Sequence, residues 1–295
     1  MKLLITGASG LYGNKLAQIA TQKGYEVYSG YNKGKPAFGY PTQLDVINKK
    51  HVEKVFKQIK PKIVVHAASL TNVDTCETDK QLAWKTNVEG TKNIVMEAKK
   101  HQSFLIYIST DYVFNGEKGN YTETGKPDPI NYYGETKFKA EQQVKTLKKY
   151  CIARTSVMYG TTPSAGKTNF AIWVINQLKN NQKIRIATDQ QTSPTLNSSL
   201  AEMTLEIAER QLNGIYHLSG ATQITRYDFA KKIAITFKLN KNLILPASID
   251  EFSFPAKRPK KSSLNTTKAH QTLKNKPLKI GLALNRLKKE TKALL

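Results

Sequence analysis

The chain has 295 residues, of which 39% are hydrophobic, and a formal net charge of +24 at pH 7. This composition suits a globular protein with a large core, and no apolar run approaches the roughly 18 residues of a membrane helix, so no membrane association is predicted. The two cysteines, Cys76 and Cys151, lie far apart and lack metal-ligand spacing, which favours a reducing, cytoplasmic location without a disulfide.

The positive charge is spread along the whole chain. Its densest stretch, residues 240–295, has 13 Lys and Arg residues against 3 Asp and Glu residues. Neither a zinc-finger spacing nor an aromatic-interleaved RNA-binding motif accompanies this charge. We therefore predict no nucleic-acid partner. We interpret the charge as a solvated surface, or alternatively as a field that steers an anionic substrate towards the protein.

The first half of the chain alternates short apolar strands with longer amphipathic stretches. This alternation predicts an α/β fold, a Rossmann-type doubly wound parallel sheet with helices on both faces. The predicted strands are Lys2–Thr6, Glu26–Gly30, Lys62–His66, Phe104–Ser109 and Cys151–Arg154. The predicted helices lie at about 11–23, 48–59, 79–101 and 132–149.

The second half is less regular. Its predicted helices lie near 168–180 and 198–212, its predicted strands lie near 183–187 and 214–219, and the proline-containing segment 240–280 is predicted to be rich in loops. We therefore predict two domains. Residues 1–160 form the Rossmann domain, to which the chain returns around 183–219. Residues 161–295 mainly form a smaller C-terminal substrate-binding lobe.

A glycine-rich segment, TGASGLYG at residues 6–13, directly follows the first predicted strand. Glycine at this place allows a tight turn and lets backbone amides approach a pyrophosphate at the start of a helix. The segment therefore predicts a dinucleotide site that contains Gly7, Ser9, Gly10, Leu11, Tyr12 and Gly13.

The end of the second strand indicates which dinucleotide binds. An acidic residue there would bind the ribose 2′-hydroxyl group of NAD. This chain has no acid at that place, and Asn32 and Lys33 are suited instead to a 2′-phosphate group. The sequence therefore predicts NADP(H) as the cofactor.

Tyrosine followed four residues later by lysine is a pattern with a chemical use. The spacing places both side chains on one helix face, where the ammonium group favours a phenolate. Only Tyr133 also follows a strand that ends in hydroxyl groups, and open α/β sheets bind ligands at that edge. We therefore predict a catalytic group of Thr110, Tyr133 and Lys137, in which Lys137 lowers the pKa of Tyr133. The other pairs are Tyr31/Lys35 and Tyr227/Lys231, and the second is interpreted as part of a surface helix.

Taken in order, these motifs resemble the extended short-chain dehydrogenase/reductase family, and within it the dTDP-4-dehydrorhamnose reductases and their relatives. The matching segments span nearly the whole chain. They are TGASGLYG (6–13), LDV (44–46), HAAS (66–69), NVDTCE (72–77), Asn87, STDYVF (109–114), YYGETKFKAE (132–141), RTSVMYG (154–160), NF (169–170), DQQTSPT (189–195), GIYHLSG (214–220) and RPKKSSLN (258–265).

The resemblance implies NADPH-dependent reduction of a nucleotide-linked 4-keto-6-deoxy sugar. It implies that Tyr133 donates a proton, that Lys137 holds the nicotinamide ribose, and that Thr110 binds the reacting carbonyl. Further implied cofactor residues are Asp45 and Val46 at the adenine, and Ala67, Ala68 and Ser69 near the phosphates and ribose. The implied substrate residues are Val73, Asp74, Asp111, Asn169 and Arg258.

Two departures from the family pattern leave the sugar open. Val157 stands where rhamnose-type reductases usually have a tryptophan against the sugar. Lys15 stands where some have an acid for a magnesium-bridged dimer, so no metal is predicted and a homodimer stays an open alternative.

Other functions of the same fold are alternatives to reduction. An epimerase, or an NADP-binding regulatory subunit like the β subunit of methionine adenosyltransferase, fits the same motifs. The order Thr110-Asp111-Tyr112 argues against a 4,6-dehydratase, because those enzymes usually have Asp-Glu after the threonine.

Overall fold

A seven-stranded parallel sheet forms the centre of the protein, and the computed structural model describes residues 1–161 and 168–292. The strands of this sheet are β1 (Lys2–Thr6), β2 (Glu26–Tyr31), β3 (Tyr40–Gln43), β4 (Ile63–His66), β5 (Phe104–Thr110), β6 (Tyr150–Thr155) and β11 (Gly214–His217). Their spatial order is β3-β2-β1-β4-β5-β6-β11, with every neighbouring pair parallel, which confirms the predicted α/β fold.

Helices cover both faces of this sheet. The helices of the chain are α1 (Leu11–Gln22), α2 (Lys49–Ile59), α3 (Val73–Thr78), α4 (Lys80–Trp84), α5 (Gly90–Lys100), α6 (Tyr132–Val144), α7 (Phe170–Lys179), α8 (Asn197–Arg210), α9 (Arg226–Phe237), α10 (Thr267–Thr272) and α11 (Ile280–Lys292). One face buries apolar side chains of α1 and α8, and the other buries those of α2, α5 and α6. Apolar burial on both faces explains why the strands are nearly continuous hydrophobic runs.

The five strands predicted in the first half are all present, each within one residue of its predicted ends. Strand β3 was not predicted, because it lies at the sheet edge, is mostly exposed and contains Pro41. The helix predicted at 79–101 is present as α4 and α5, joined by a π-helical turn at Lys85–Glu89. Helix α6 ends at Val144, five residues before the predicted end.

A second hydrophobic core lies in the C-terminal half. It is formed mainly by α7, α9 and α11, with Val174, Phe229 and Leu284 fully buried. Helix α9, which contains the Tyr227/Lys231 pair, was predicted to be a surface helix, but it buries one face in this core. Helix α11 follows the segment that was predicted to be rich in loops. In the part of the chain that the structure describes, three small two-stranded sheets lie outside the central sheet. They are built from β7 (Met158–Tyr159), β8 (Ile184–Ala187), β9 (Gln191–Thr192), β10 (Thr195–Leu196), β12 (Ile224–Thr225) and β13 (Ile244–Ala247).

The chain returns to the central sheet with α8 and β11. The strand predicted near 183–187 is present as β8, but it pairs with β13 outside the central sheet. Helix α8 packs against α1, and β11 extends the sheet beside β6. The division into a Rossmann domain and a substrate-binding lobe stays a prediction. Within residues 1–161 and 168–292, no helix is both long and apolar enough to cross a membrane.

Candidate active site

The glycine loop packs tightly against the segment that follows β4. Gly7 has a φ of +68°, and a Cβ atom there would lie 2.8 Å from the backbone N and Cα atoms of Ala68. A Cβ atom at Gly13 would lie 2.3 Å from the carbonyl oxygen of Gly7. Gly10 is the N-cap residue that precedes α1, and no side chain caps the helix there. The loop therefore presents backbone at a helix N-terminus, which is the arrangement that holds a pyrophosphate.

The end of β2 lies beside this loop. The Ser9 hydroxyl donates to the carbonyl oxygen of Lys33 at 3.0 Å. The Gln43 side chain donates to the carbonyl oxygen of Asn32 at 3.2 Å. Asn32 and Lys33 are exposed, so both predicted 2′-phosphate residues stand next to the glycine loop with their side chains open to solvent.

Leu11 and Tyr12, both predicted to bind the cofactor, connect the loop to α8. The Tyr12 side chain is buried, and its hydroxyl donates to Oγ1 of Thr204 at 2.8 Å. The Leu11 carbonyl oxygen accepts from Nδ2 of Asn197 at 3.1 Å. A cofactor contact from Tyr12 would therefore come from its backbone, since its side chain belongs to the packing between α1 and α8.

Asp45 and Val46, implied to contact adenine, form the turn before α2. Asp45 Oδ1 accepts from the backbone N–H of Ile47 at 3.1 Å, and Val46 is buried against Gly90. The carbonyl oxygen of Val46 accepts from Nδ2 of Asn93 at 2.9 Å. The Asp45 carboxylate thus stabilises the turn, and its role at adenine stays a prediction.

A buried histidine supports residues 67–69, the predicted cofactor-lining segment. The His66 ring lies 2.7 Å from Oγ1 of Thr6, and the same oxygen accepts from the backbone N–H of Ala68 at 3.1 Å. Burial lowers the pKa of His66 to about 3, and the nearby charge of Lys137 adds to this effect. His66 is therefore neutral at pH 7 and acts as a hydrogen-bonded support beneath Ala67 and Ala68.

Asn87, in the π-helical turn, joins this segment to α6. Its Oδ1 atom accepts from the Ser69 hydroxyl at 2.8 Å and from the backbone N–H of Leu70 at 2.7 Å. Its Nδ2 atom donates to the carbonyl oxygen of Leu70 and to Oγ1 of Thr136. The Asn87 side chain therefore fixes α6 next to the cofactor-lining segment through four hydrogen bonds.

Helix α6 begins directly against the 3₁₀ turn Asp111–Val113 that follows β5. Asn131 caps the helix, because its Oδ1 atom accepts from the backbone N–H of Gly134 at 2.9 Å. A Cβ atom at Gly134 would lie only 2.1 Å from the carbonyl oxygen of Tyr112. The Tyr112 and Tyr133 rings meet edge to face, with centroids 6.0 Å apart. Glycine at 134 is what lets this first turn approach the end of β5.

This approach brings the predicted catalytic residues Thr110, Tyr133 and Lys137 to the same end of β5, and their catalytic roles stay a prediction. Thr110 lies beside Tyr133, and its side chain lowers the pKa of that phenol. Lys137 Nζ donates to the carbonyl oxygen of Ile108 at 2.7 Å and lies 4.1 Å from the centroid of the Tyr107 ring. The hydroxyl, phenol and ammonium groups therefore converge where the end of β5 meets the first two turns of α6.

Burial controls the protonation of this group. Burial raises the pKa of Tyr133, and the neighbouring Thr110 side chain offsets only part of the increase. Burial lowers the pKa of Lys137 to about 7, while the charge of Glu141 opposes that decrease. The prediction that Lys137 lowers the pKa of Tyr133 is therefore wrong for this chain, because desolvation disfavours both charged forms. Tyr133 keeps its proton at neutral pH, which is the state that a proton donor needs.

Asp111 is buried beside this group, with 2% of its surface exposed. Its carboxylate accepts from the hydroxyls of Ser262 at 2.6 Å, Ser156 at 2.8 Å and Thr110 at 3.1 Å. Burial raises the pKa of Asp111, while these three hydrogen bonds lower it. Asp111 thus orients Thr110 and ties the C-terminal half to β5. Its contact with a sugar stays a prediction.

Two predicted substrate residues pair with each other. Arg258 Nη2 donates to Oδ2 of Asp74 at 2.7 Å, and the backbone N–H of Ala256 donates to Oδ1 of Asp74 at 3.2 Å. The Arg258 guanidinium also lies 4.8 Å from the centroid of the Phe254 ring. Val73, the residue before Asp74, starts α3 and is partly buried. The structure therefore gathers Val73, Asp74 and Arg258 on one side of the site.

Asn169 caps α7. Its Oδ1 atom accepts from the backbone N–H of Ile172 at 3.3 Å, and its Nδ2 atom donates to the carbonyl oxygen of Gly160 at 2.8 Å. Both polar atoms of the Asn169 side chain therefore already have partners within the protein, and substrate binding by Asn169 stays a prediction.

Tyr132 and Tyr227 make contacts with residues outside the proposed catalytic group. The Tyr132 backbone N–H donates to Glu77 at 2.9 Å, and Lys80 Nζ lies 5.3 Å from the centroid of its ring. Lys231 Nζ lies 4.3 Å from the centroid of the Tyr227 ring, so that pair is a cation–π contact on α9.

Sequence reasoning missed Arg226, the first residue of α9. Its guanidinium interacts with the side chains of Tyr112 and Asp111. Gln190, also unassigned by the sequence, is buried, and its side chain lowers the pKa of Tyr112. Gln190 lies in DQQTSPT (189–195), one of the segments that resemble the family, whereas Arg226 lies outside all of those segments.

No metal site is evident in the described part of the chain, where no three His, Cys, Asp or Glu side chains are grouped as ligands. Lys15 Nζ lies 3.8 Å from Oε2 of Glu290, so α1 contacts α11 at the place considered for a magnesium ligand. The absence of a metal requirement stays a prediction.

Comparison with known proteins identifies the family. The family model described as "RmlD substrate binding domain" matches residues 1–292. The chain belongs to the RmlD substrate binding domain family. The resemblance indicated by the motifs is thereby confirmed, because the match extends over both the glycine loop and the C-terminal half.

Individual RmlD relatives support the same assignment. The chain is 34% identical to a dTDP-4-dehydrorhamnose reductase of Aggregatibacter actinomycetemcomitans, over 94% of each chain. It is 30% identical to methionine adenosyltransferase 2 subunit beta of Xenopus tropicalis, over 90% of this chain and 81% of that one. The crystal structure of dTDP-4-dehydrorhamnose reductase from Bacillus anthracis in complex with NADP superposes with a TM-score of 0.88, at 33% identity, over 98% of this chain and 99% of that one.

Proposed function

We propose that the protein is an NADPH-dependent reductase of a nucleotide-linked 4-keto-6-deoxy sugar, similar to dTDP-4-dehydrorhamnose reductase. One observation carries the proposal. Lys137 Nζ donates to the carbonyl oxygen of Ile108 on β5, the strand that ends at Thr110. Tyr133 lies one turn before Lys137 on α6, in a chain that aligns along nearly its whole length with such a reductase.

The cofactor side of the chain fits NADPH. Side chains at Gly7 and Gly13 would collide with backbone, so the loop keeps the close backbone approach that a pyrophosphate requires. Lys33, held beside the loop by the bond from Ser9, is placed to bind the 2′-phosphate. NADPH, when bound, supplies the hydride that reduces the carbonyl carbon.

The residues of the chain handle the proton and the orientation of the substrate. Tyr133, protonated at neutral pH, donates its proton to the carbonyl oxygen as that oxygen gains negative charge. Thr110, whose one hydroxyl proton points to Asp111 in this structure, turns that proton to the same oxygen when the substrate is bound. Lys137, fixed by the carbonyl oxygen of Ile108, stabilises the tyrosinate that remains until water reprotonates it.

Substrate turnover tests this proposal. Purified protein with NADPH and dTDP-4-keto-6-deoxymannose should consume NADPH and yield the 4-hydroxy sugar, whereas dTDP-glucose, which has no ketone, should leave NADPH unchanged. Mass spectrometry of the sugar product separates reduction from epimerisation, because only reduction adds two mass units for the two hydrogens. An epimer of unchanged mass, without NADPH consumption, would establish the epimerase alternative instead.

A regulatory NADP-binding subunit is the second candidate, and the 30% identity to methionine adenosyltransferase 2 subunit beta favours it. The two candidates differ in a measurable way. A regulatory subunit would bind NADPH without consuming it and would form a stoichiometric complex with an enzyme partner. Tight NADPH binding without turnover of a 4-keto sugar would therefore move the assignment to this second function.

A further inference from the structure

The Tyr107 ring lies against the ammonium group of Lys137, and no step of the reaction above uses it. Lys137 Nζ lies over this ring, 4.1 Å from its centroid, and donates to the carbonyl oxygen of Ile108, the next residue of β5, at 2.7 Å. Tyr107 is fully buried and Lys137 is 3% exposed. The His66 ring packs against Tyr107 with a centroid distance of 5.6 Å. The ammonium group is therefore removed from water and held between a carbonyl oxygen and an aromatic face that is itself fixed by packing.

The charge of Lys137 at neutral pH is sensitive to such a contact. Burial lowers the pKa of Lys137 to about 7, so its charged and neutral forms are nearly equal at that pH. The negative face of an aromatic ring attracts a cation, and the attraction is larger at a desolvated site than at an exposed one. Loss of this attraction, with a further decrease of the pKa by about one pH unit, would leave only about a tenth of the Lys137 side chains charged at pH 7.

The titratable groups that face Lys137 keep one protonation state around neutral pH. On β4, burial lowers the pKa of His66 to about 3, and on α3, burial raises the pKa of Cys76 to about 11. On β5 and α6, burial raises the pKa of Tyr107 and of Tyr133 above the ordinary value of a phenol. A change of charge near pH 7 would therefore be that of Lys137.

The carboxylate of Glu141 also favours the charged form of Lys137, from one helical turn further along α6. That carboxylate is already bonded to Arg154 at 2.9 and 2.7 Å and to the Ser109 hydroxyl at 2.6 Å. A change at Glu141 would break this buried ion pair as well. A change of the Tyr107 ring alters the contact of the ammonium group and leaves the ion pair in place.

A second lysine makes the same two contacts on β11, the edge strand of the sheet. Lys268 Nζ lies over the Tyr216 ring, 4.1 Å from its centroid, and donates to the carbonyl oxygen of Ile215, the neighbouring residue, at 2.7 Å. Lys268 is partly buried, whereas Lys137 is buried. The two pairs have matched distances and differ in desolvation, so Tyr216 is a control for the structural cost of losing a buried ring.

We propose that Tyr107 is a positioning residue for the reduction, whose ring face holds the Lys137 ammonium group in its charged form beside Tyr133 at neutral pH. This inference rests on the proposed function, because a tyrosinate needs that charge only if Tyr133 donates its proton to a substrate. The ring acts through Lys137. Its loss should therefore change the pH at which the lysine works, before it changes how the substrate binds.

Fluorination of the ring tests the inference with little change of volume. Tyr107→Phe keeps the aromatic face and should move the titration of Lys137 by less than about 0.3 pH unit. Mono-, di- and trifluorinated phenylalanine at position 107 withdraw negative potential from that face in steps. The Lys137 titration should move to lower pH in the same steps, by about one pH unit for the trifluorinated ring. NMR of protein with ¹³C-labelled lysine measures it, and the signal absent from Lys137→Met identifies Lys137.

The pH dependence of reduction provides a second measurement. With saturating NADPH and dTDP-4-keto-6-deoxymannose, the decrease of kcat/KM at high pH should begin about one pH unit lower for Tyr107→Leu and for the trifluorinated ring, because a neutral lysine does not stabilise the tyrosinate. Tyr216→Leu removes the ring of the matched pair. It should leave the pH profile in place even where it lowers the stability of the fold.

The outcomes separate this inference from the proposed function. A Lys137 titration that stays constant across the fluorinated series would overturn the inference and leave the reductase assignment intact. An equal shift of the pH profile in Tyr216→Leu would overturn it as well, because reduced stability alone would then move the profile. A stepwise NMR shift in a protein that reduces no 4-keto sugar would overturn the reductase assignment and keep Tyr107 as the residue that sets the charge of Lys137. If Tyr107→Leu does not fold, the fluorinated rings provide the same comparison.

Discussion

Lys137 is the member of the proposed catalytic group whose pKa is shifted close to neutral pH. Burial lowers the pKa of Lys137 from 10.5 to about 7 in the folded protein, whereas the pKa in the unfolded chain is the ordinary 10.5. Between these two pH values the unfolded state binds more protons than the folded state, so stability increases with pH. The unfavourable contribution of the buried ammonium is complete below pH 7 and disappears as the pH approaches 10.5.

This linkage gives a prediction for Lys137→Met. The free energy of unfolding of the unmodified protein, relative to the variant, should increase between pH 7 and pH 10 by up to about 1.4 kcal/mol per pH unit. Urea unfolding followed by circular dichroism at several pH values measures the difference. Lys139→Met, which changes an exposed lysine of the same helix, should show no such slope. A flat difference for Lys137→Met would mean that the lysine has an ordinary pKa in the folded protein.

Single residues also show how far sequence reasoning extends. Tyr133 and Lys137 are found from helix geometry, since they are four residues apart, and Thr110 is found from its place at the end of a strand. The protonation state of Tyr133 cannot be found in this way. Burial has the largest effect on the Tyr133 pKa, and burial depends on how the whole chain packs. Arg226 was missed for a related reason, as its neighbours Asp111 and Tyr112 are distant in the sequence.

At the scale of elements, a buried ion pair fixes α6 to the sheet. Glu141 of α6 and Arg154 of β6 have side chains 0% and 1% exposed, joined by hydrogen bonds of 2.9 and 2.7 Å. The Ser109 hydroxyl donates to the same carboxylate at 2.6 Å. Glu141 lies one helical turn after Lys137, so this cluster aligns α6 with the end of β5.

Removal of one partner from this pair should be costly. Glu141→Gln leaves the Arg154 charge buried without a counter-charge, and we expect the free energy of unfolding to decrease by about 3 kcal/mol or more. Glu135→Gln, at an exposed position of the same helix, should change it by less than about 0.5 kcal/mol. Urea unfolding measures both variants. A loss below about 1 kcal/mol for Glu141→Gln would contradict the view that this pair anchors α6.

Regular elements were easier to predict than the edges and the second core. The strands of the first half are apolar runs buried on both faces, so their sequence alone identifies them. Strand β3 has four mostly exposed residues and no such signal. Helices α9 and α11 bury one face in a core whose members come from separate parts of the chain, which a local pattern does not show.

At the scale of the whole molecule, the C-terminal half completes a site that the sheet only begins. Ser262 bonds to Asp111, the carbonyl oxygen of Lys257 bonds to Asn131, and Arg258 pairs with Asp74. Bonds of 2.7 Å between Arg286 of α11 and Glu202 of α8 join the second core to the helix layer of the central sheet. None of these contacts is local, so sequence motifs could mark the segments as related to a family without showing how they meet.

The central claim is that Tyr133 supplies the proton in an NADPH-dependent reduction, and one comparison tests it directly. Steady-state NADPH consumption with dTDP-4-keto-6-deoxymannose should decrease by at least about 100-fold in Tyr133→Phe. Tyr132→Phe, which removes the neighbouring hydroxyl, should keep kcat within about threefold. NADPH binding should persist in both variants. Equal activity of Tyr133→Phe and the unmodified protein would contradict the account, because the reduction would then obtain its proton from another group.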